Sequence, residues 1–147
     1  MRGNWSMKSI YIPGVPDVKM RPRFSRKTRR AYDPNEQAKE ASIQKAQITG
    51  DQETYDQPLY VVYEFVFPRP KGHFGTGKNA GILKGSSPRH CTVPKDLDNM
   101  EKFYADSFNF TAYRDDCQIV ESKAKKRYVG EGEMPFVKMD IYPLDIE

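Results

Sequence analysis

The run Leu59-Tyr60-Val61-Val62-Tyr63-Glu64-Phe65-Val66-Phe67 constrains the fold more than any other segment of the chain. Its residues are almost all β-branched or aromatic, the composition of a strand that packs against a core. Pro68 ends the run, because a proline cannot donate a hydrogen bond to a neighbouring strand. The segment therefore predicts a long β-strand, and with it a sheet.

The remaining signals divide between helices and shorter strands. In chain order they predict a strand at 8–12, a helix at 33–49, a second helix from 96–99 to 109, and strands at 118–128 and 136–142. The order β-α-β-α-β-β predicts an α+β fold of two layers, with helices packed on one mixed sheet. At 147 residues, the chain is expected to form one domain, 1–147.

The first helix has the clearest start signal. Asp33 is the predicted N-cap, Pro34 fits the first helical position and Glu36 fits the capping box. The helix is predicted to run to about Thr49 and to end at Gly50.

Basic residues are concentrated in two blocks. Residues 19–30 hold seven Lys and Arg and residues 67–95 hold six, with no acid in either block. A chain with a net charge of +4 and such clustering favours a polyanionic partner, because each neutralised phosphate releases counterions. The alternative is a pair of solvated basic loops. The second block lies in a Gly- and Pro-rich stretch that predicts a flexible loop at about 68–93.

Two acidic clusters stand within this basic chain. Asp96 and Asp98 fall at the predicted start of the second helix, and Asp115 and Asp116 fall just before the next strand. Carboxylate oxygens are the ligands that Mg²⁺ prefers, and Lys102, one turn after Asp98, is placed to contact a phosphate oxygen. The alternative is structural: the acids cap the helix, and Lys102 pairs with a neighbouring carboxylate.

The acidic segments carry a family resemblance. The pattern Asp96-Leu97-Asp98-Asn99-x-x-Lys102, then Asp106, then Asp115-Asp116-x-Gln118-Ile119-Val120 resembles the signature of the RusA family of Holliday junction resolvases. The early Arg21-Pro22-Arg23-Phe24 is similar to the start of its phage- and prophage-encoded branch. The chain departs from the family at Asn109-Phe110, where the family often has Asn-Gly, and Asn109 is expected to take the left-handed position of the turn.

The resemblance implies a site and a substrate. By position, Asp96, Asp98, Lys102 and Asp116 match the family's catalytic residues, and the three aspartates match its metal ligands, with Asp115 as a weaker candidate. The resemblance further implies Mg²⁺ as cofactor, with Mn²⁺ as a substitute, a homodimer, and cleavage of four-way DNA junctions in recombination and repair. A two-fold dimer has an independent reason, since it places two equivalent sites on a two-fold substrate.

Candidate DNA contacts come from the basic blocks and from the strand after the acids. They are Arg21, Arg23, Arg26, Lys27, Arg29, Arg30, Lys71, Lys78, Lys84, Arg89, Lys125 and Arg127. Two alternatives to a junction-selective enzyme stay open. One is a less selective nuclease acting on flaps, forks or duplex, and the other is a non-catalytic nucleic-acid-binding protein.

Several other functions are disfavoured by the sequence. No apolar run approaches the roughly 20 residues that span a bilayer, and two cysteines without metal-ligand spacing favour reduced thiols, so a cytoplasmic protein is expected. Gly72–Lys78 matches the first part of a phosphate-binding loop. Position 79, however, is Asn rather than Ser or Thr, so no nucleotide cofactor is expected.

Overall fold

The computed structural model describes residues 7–19, 23–32 and 35–144. Within these ranges, seven strands and two α-helices make up the fold. In chain order they are β1 (Lys8–Pro13), β2 (Arg23–Ser25), β3 (Arg30–Tyr32), α1 (Glu36–Lys45), β4 (Gln47–Gly50), β5 (Leu59–Phe67), α2 (Leu97–Ser107), β6 (Ile119–Tyr128) and β7 (Phe136–Pro143). The α+β class and the predicted order of the main elements are confirmed.

Five of the strands form one mixed sheet in the order β4-β1-β7-β5-β6. The β5–β6 pair is parallel, from Leu59 opposite Ile119 to Phe67 opposite Tyr128, and the other three pairs are antiparallel. A parallel pair needs a long crossover. Here the crossover contains the basic loop and α2. The second basic block and the acids at the start of α2 therefore lie on the same connection between β5 and β6.

The core lies between the sheet and the helices. Along β5 the residues facing the core alternate with half-buried ones, and Leu59, Val61, Tyr63 and Phe65 are almost completely buried. The inner face of α2 consists of apolar residues at helical spacing, and Met100, Phe103, Tyr104 and Phe108 are all buried. This packing fixes the rotation of α2 and turns Asp98 and Lys102 towards solvent.

The predicted end of the first helix is wrong. Helix α1 stops at Lys45, and Gln47–Gly50 form the edge strand β4, which pairs with β1. Gly50 sits at φ +86°, and a Cβ there would lie 2.3 Å from the carbonyl oxygen of Met7. Glycine therefore suits this close approach. The predicted start is also wrong, because α1 begins at Glu36 with Asn35 as its N-cap, whereas the predicted cap, Asp33–Pro34, lies outside the described residues.

The first basic block contains a β-hairpin that the sequence signals did not predict. Strands β2 and β3 pair from Arg23 opposite Tyr32 to Ser25 opposite Arg30. Ser25 accepts hydrogen bonds from the backbone N–H of Thr28 and of Arg29. The hairpin therefore holds Arg26, Lys27 and Arg29 in a defined turn, with Arg30 at the start of β3.

The exit from α2 also differs from the expectation. In the turn that follows α2, the residue with a positive φ is Phe110 (φ +67°) rather than Asn109. A bulky residue in this region costs about 1–2 kcal/mol, because its Cβ crowds the following carbonyl oxygen. Phe110 stands where glycine would be free of that cost.

Two further features bear on the predictions. Cys91 is buried and Cys117 exposed, and both are free thiols. Within the described residues, neither helix has the length and apolar character needed to cross a bilayer.

Candidate active site and nucleic-acid surface

Asp96 and Asp98 lie at the N-terminus of α2, both exposed to solvent. Asp96 occupies the N-cap with an extended backbone (φ −69°, ψ 136°), and its carbonyl oxygen accepts the first helical hydrogen bond from Met100, at 3.1 Å. Its carboxylate makes no capping hydrogen bond. Neither carboxylate has a hydrogen-bond or ion-pair partner in the described part of the chain. The helix thus holds two acids that structural capping does not use.

Lys102 is exposed one turn after Asp98. The structural alternative required it to pair with Asp98 or Asp106, yet Asp106 instead pairs with Lys39 of α1. Across the described ranges, no ion pair engages Lys102. Its ammonium group therefore remains available to an anion from outside the chain.

Asp116 is placed by a short turn between α2 and β6. Asp115 caps a 3-10 turn at Asp116–Gln118, and Gln118 completes the capping box by accepting from the Asp115 N–H at 2.8 Å. The N–H of Asp116 donates to Oδ1 of Asn109 at 2.8 Å, and Nδ2 of Asn109 donates to Asp106 at 3.1 Å. The backbone of Asp116 is therefore tied to the C-terminal end of α2.

The electrostatics of the two neighbouring aspartates differ. Burial raises the pKa of Asp116, and its hydrogen bond with Asp115 and the negative charge of Asp106 add to this. Hydrogen bonding from the N–H of Cys117 holds the pKa of Asp115 below its usual range. Of these two aspartates, Asp116 is therefore the one whose ionised form gains more from a nearby cation.

The acids lie towards opposite ends of α2. Asp116 contacts the C-terminal end through Asn109, whereas Asp98 is in the first turn, and eight residues separate Asp98 from Asp106, about 12 Å of helix axis. In the described residues, no three His, Cys, Asp or Glu side chains are grouped closely enough to hold a metal ion. The donors are nonetheless all carboxylate oxygens, the ligand type that suits a hard cation such as Mg²⁺.

The segment 16–19, which precedes the basic hairpin, adjoins the N-terminal half of α2. The N–H of Lys19 donates to the carbonyl of Asn99 at 3.3 Å, and the N–H of Asp17 donates to the Tyr104 hydroxyl at 2.9 Å. Lys95, just before the helix, donates to the carbonyl of Pro16 at 2.8 Å. The segment that leads into the hairpin is therefore fixed beside Asp96 and Asp98.

The side chains of the hairpin turn point outward. The exposed cations are Arg26, Lys27, Arg29 and Arg30. Arg21, also predicted to contact DNA, lies outside the described residues, and of Arg23 only the backbone is described.

The second basic block is a folded loop. Arg69 anchors it by donating from Nε to the carbonyl of Val129 and from a terminal nitrogen to the carbonyl of Pro88, both at 2.7 Å. A Cβ at Gly75 would lie 2.5 Å from the Cβ of Asn79, so glycine allows the two sides of the loop to approach closely.

An open cleft of about 640 Å³ lies along this loop. Lys71, Lys84, Thr76 and Phe74 line it together with four glycines, and Lys78 and Arg89 are exposed nearby in the sequence. Two ammonium groups beside accessible backbone form a suitable surface for phosphate.

Lys125 and Arg127 of β6 are engaged within the protein. Glu64 pairs with Lys125 at 3.6 Å and with Arg127 at 2.8 Å. The guanidinium of Arg127 also binds both carboxylate oxygens of Glu133, at 2.6 and 2.8 Å. The structure therefore brings these two predicted DNA contacts into an ion-pair network.

Two residues near the acids were not predicted to take part in the site, and Asn109 was expected only to form the turn. Asn109 joins Asp116 to α2, and Lys39 on α1 holds Asp106. A polar residue with turn propensity just beyond a helix was a usable signal for Asn109. No sequence signal connects Lys39 with Asp106, because the two are 67 residues apart.

A family comparison covers most of the chain. The family model described as Endodeoxyribonuclease RusA matches residues 13–140, a range that includes both acidic clusters and both basic blocks. No curated protein sequence matches the chain.

Proposed function

The chain belongs to the RusA family of endodeoxyribonucleases, and from this premise we propose that it is an Mg²⁺-dependent enzyme that cuts four-way (Holliday) junctions symmetrically, as a homodimer, in DNA recombination and repair. Family membership implies a junction-resolving nuclease. The metal requirement, the symmetry of cutting and the biological context are the parts that we propose.

The observation that carries the proposal is the pair of unpartnered acids, Asp96 and Asp98, beside cationic segments. Lys19 leads into the basic hairpin and is hydrogen-bonded to α2 next to Asp98, and the basic loop ends at Lys95, just before Asp96. Carboxylates with no partner among the described residues, next to cationic segments of the chain, favour a site that receives a metal ion together with a phosphodiester.

In this proposal Asp96, Asp98 and Asp116 are the metal ligands, with Asp115 as the neighbouring candidate. A bound Mg²⁺ lowers the pKa of a coordinated water and offsets charge that develops on the phosphate. The raised pKa of Asp116 favours this role, because a nearby cation stabilises the ionised carboxylate.

Lys102 is proposed to contact a non-bridging oxygen of the scissile phosphate. It has no ion pair among the described residues, so no internal contact must break before it reaches the DNA. Removing a preorganised electrostatic contact of this kind lowers cleavage by about 10²–10³-fold.

The proposed DNA-binding surface combines the exposed turn of the hairpin with the loop cleft. The loop lysines and Arg89 precede the acids of α2 in the chain, and Arg26, Lys27, Arg29 and Arg30 follow Lys19, whose N–H is hydrogen-bonded to α2. Two copies of this surface, related by a two-fold axis, match the symmetry of a four-way junction. Junction arms would then contact the cations of both basic segments.

The decisive experiment is cleavage of a synthetic four-way junction with and without Mg²⁺. Asp98→Asn is expected to bind the junction but to lower its cleavage by about 10²–10³-fold. Glu40→Gln, which neutralises an exposed acid on α1, serves as the matched control and is expected to cleave normally. Full activity of Asp98→Asn would overturn the assigned site.

The same assay tests the alternatives. Equal cutting of flaps, forks and duplex would identify a less selective nuclease. Salt-dependent binding, unchanged by Mg²⁺ and without product on any substrate, would identify a non-catalytic binding protein. Nicks at symmetric positions on two opposing strands, made by a protein that sediments as a dimer, are the result that we expect.

A further inference from the structure

The turn between α2 and β6 presents one aromatic ring to solvent. Phe110 is 81% exposed and has a φ of +67°. A single exposed apolar side chain is ordinary and indicates nothing by itself. An exposed aromatic ring on a left-handed backbone is different, because glycine would form the same turn without strain.

The surrounding hydrogen bonds fix this conformation. The N–H of Phe110 donates to the carbonyl of Tyr113 at 2.7 Å, and the hydroxyl of Thr111 donates to the carbonyl of Phe108 at 2.8 Å. Phe108 and Tyr113 are both buried, so the turn is anchored on its two sides. The ring of Phe110 is thus held out on a rigid support.

The turn is joined directly to the proposed catalytic site. Asn109, the residue before Phe110, accepts the hydrogen bond from the N–H of Asp116 at 2.8 Å. Arg114 and Asp115, on the other side of the turn, are exposed. A ligand lying on the ring would therefore have its neighbouring groups close to a cation and to the acids.

We propose that the ring of Phe110 is a stacking site for an unpaired DNA base at the branch point of the junction. The proposal rests on the proposed function and adds a second element to it, recognition of the base beside the bond to be cut. An aromatic face binds any of the four bases by stacking. The exposed Arg114, four residues further along the chain, is the cation proposed to contact a phosphate of the same strand.

A second copy of the chain is the competing occupant of this position. Protein interfaces centre on groups of apolar residues, whereas the exposed neighbours of Phe110 are Thr111, Arg114 and Asp115. One flat ring among polar and charged groups fits a base with its attached phosphates better than it fits a protein surface.

Three variants at position 110 test the proposal. Phe110→Gly removes both the ring and the strain, Phe110→Leu keeps an apolar side chain without a π face, and Phe110→Tyr keeps the ring. Met134→Ala, which shortens a side chain that is 74% exposed in another turn, is the control. Each protein is compared for thermal stability, for junction binding without divalent cation, and for the fluorescence of 2-aminopurine at the branch point.

Loss of one base–aromatic stack is expected to weaken junction binding by about 5- to 150-fold. Phe110→Gly should show this loss together with a Tm equal to or above that of the wild type, which a merely structural role would not produce. Phe110→Leu should also bind weakly and show a reduced change in 2-aminopurine fluorescence, whereas Phe110→Tyr should behave as the wild type does.

Two results would overturn the stacking site while leaving the proposed function intact. In one, Phe110→Gly keeps wild-type junction affinity and fluorescence. In the other, Phe110→Leu retains full binding and Phe110→Gly changes the sedimentation coefficient, which would assign the ring to a contact between copies. A wild-type protein that neither binds nor cuts junctions would overturn the proposed function, and the stacking site with it.

Discussion

The backbone of Asp116 is held by a hydrogen bond, whereas the surroundings of its side chain disfavour the ionised carboxylate. Its N–H is bound by Asn109, yet burial and the negative charges of Asp115 and Asp106 raise the pKa of its carboxyl group. Ionisation of this group therefore opposes folding in the absence of a cation. A ligand position that carries such a cost is common at functional sites, where stability and activity make opposite demands.

Asp116→Asn is expected to raise the free energy of unfolding near neutral pH and to lower cleavage by about 10²–10³-fold. Because the folded pKa lies above the unfolded value, the cost of ionisation is present at pH values above the folded pKa and vanishes below the unfolded one. The stability difference between variant and wild type should therefore shrink as the pH falls through the acid range. Denaturant titrations in metal-free buffer at several pH values measure this, and a variant less stable than the wild type at neutral pH would contradict it.

At the scale of elements, α2 could be predicted from the sequence and β4 could not. The position of α2 follows from local signals: an acidic cap at Asp96 and buried residues at helical spacing. The strand at 47–50 exists because it pairs with β1, a contact that local propensity does not contain. The hairpin in the first basic block was missed for the same reason, since its strands carry no alternating apolar pattern.

The elements at the end of β6 are joined by the network of Glu64, Arg127 and Glu133. Hydrogen bonds from Arg127 and from the N–H of Gly130 lower the pKa of Glu133 to about 2. Arg127 thereby connects β5, β6 and the turn that leads into β7. This turn also lies against the basic loop, whose Arg69 binds the carbonyl of Val129.

Glu133→Gln should lower the free energy of unfolding by about 1–2 kcal/mol at pH 7, between the values for an exposed ion pair and for charged hydrogen bonds. The folded pKa lies below the unfolded one, so the wild-type advantage is present above about pH 4.5 and is lost as the pH falls towards 2. Thermal or denaturant unfolding at pH 7 and pH 3 measures it. An equal difference at both pH values would show that the ion pair is not its source.

At the scale of the whole molecule, the acids and cations were identified from the sequence, but their arrangement was not. The motif located Asp96, Asp98, Lys102 and Asp116 by position. The meeting of the first basic block with α2 depends on the contact between Lys19 and Asn99, 80 residues apart. A long-range contact of the same kind, between Arg127 and Glu64, engages Arg127 within the protein.

The double variant Lys71→Ala/Lys84→Ala tests whether the loop cleft belongs to the DNA-binding surface. If each lysine neutralises one phosphate, the slope of log K against log salt concentration should fall by about two, because each contact contributes about 0.9. Lys45→Ala, at the end of α1, is the control and should leave the slope unchanged. Fluorescence anisotropy over a range of salt concentrations gives the slope, and an unaltered slope in the double variant would exclude the loop cleft from the DNA-binding surface.

The position of β7 bears on how the protein is made. This strand is the last of those in the described residues, yet it lies between β1 and β5 and pairs with both along most of its length. During synthesis, β1 and β5 therefore emerge before their partner strand, and their inner edges stay unpaired until residues 136–143 have been made. Unpaired edges of this kind invite association between chains. We therefore expect nascent chains that pause before residue 136 to depend on chaperones, and folding of the full-length chain to be slow because the sheet relies on distant pairings.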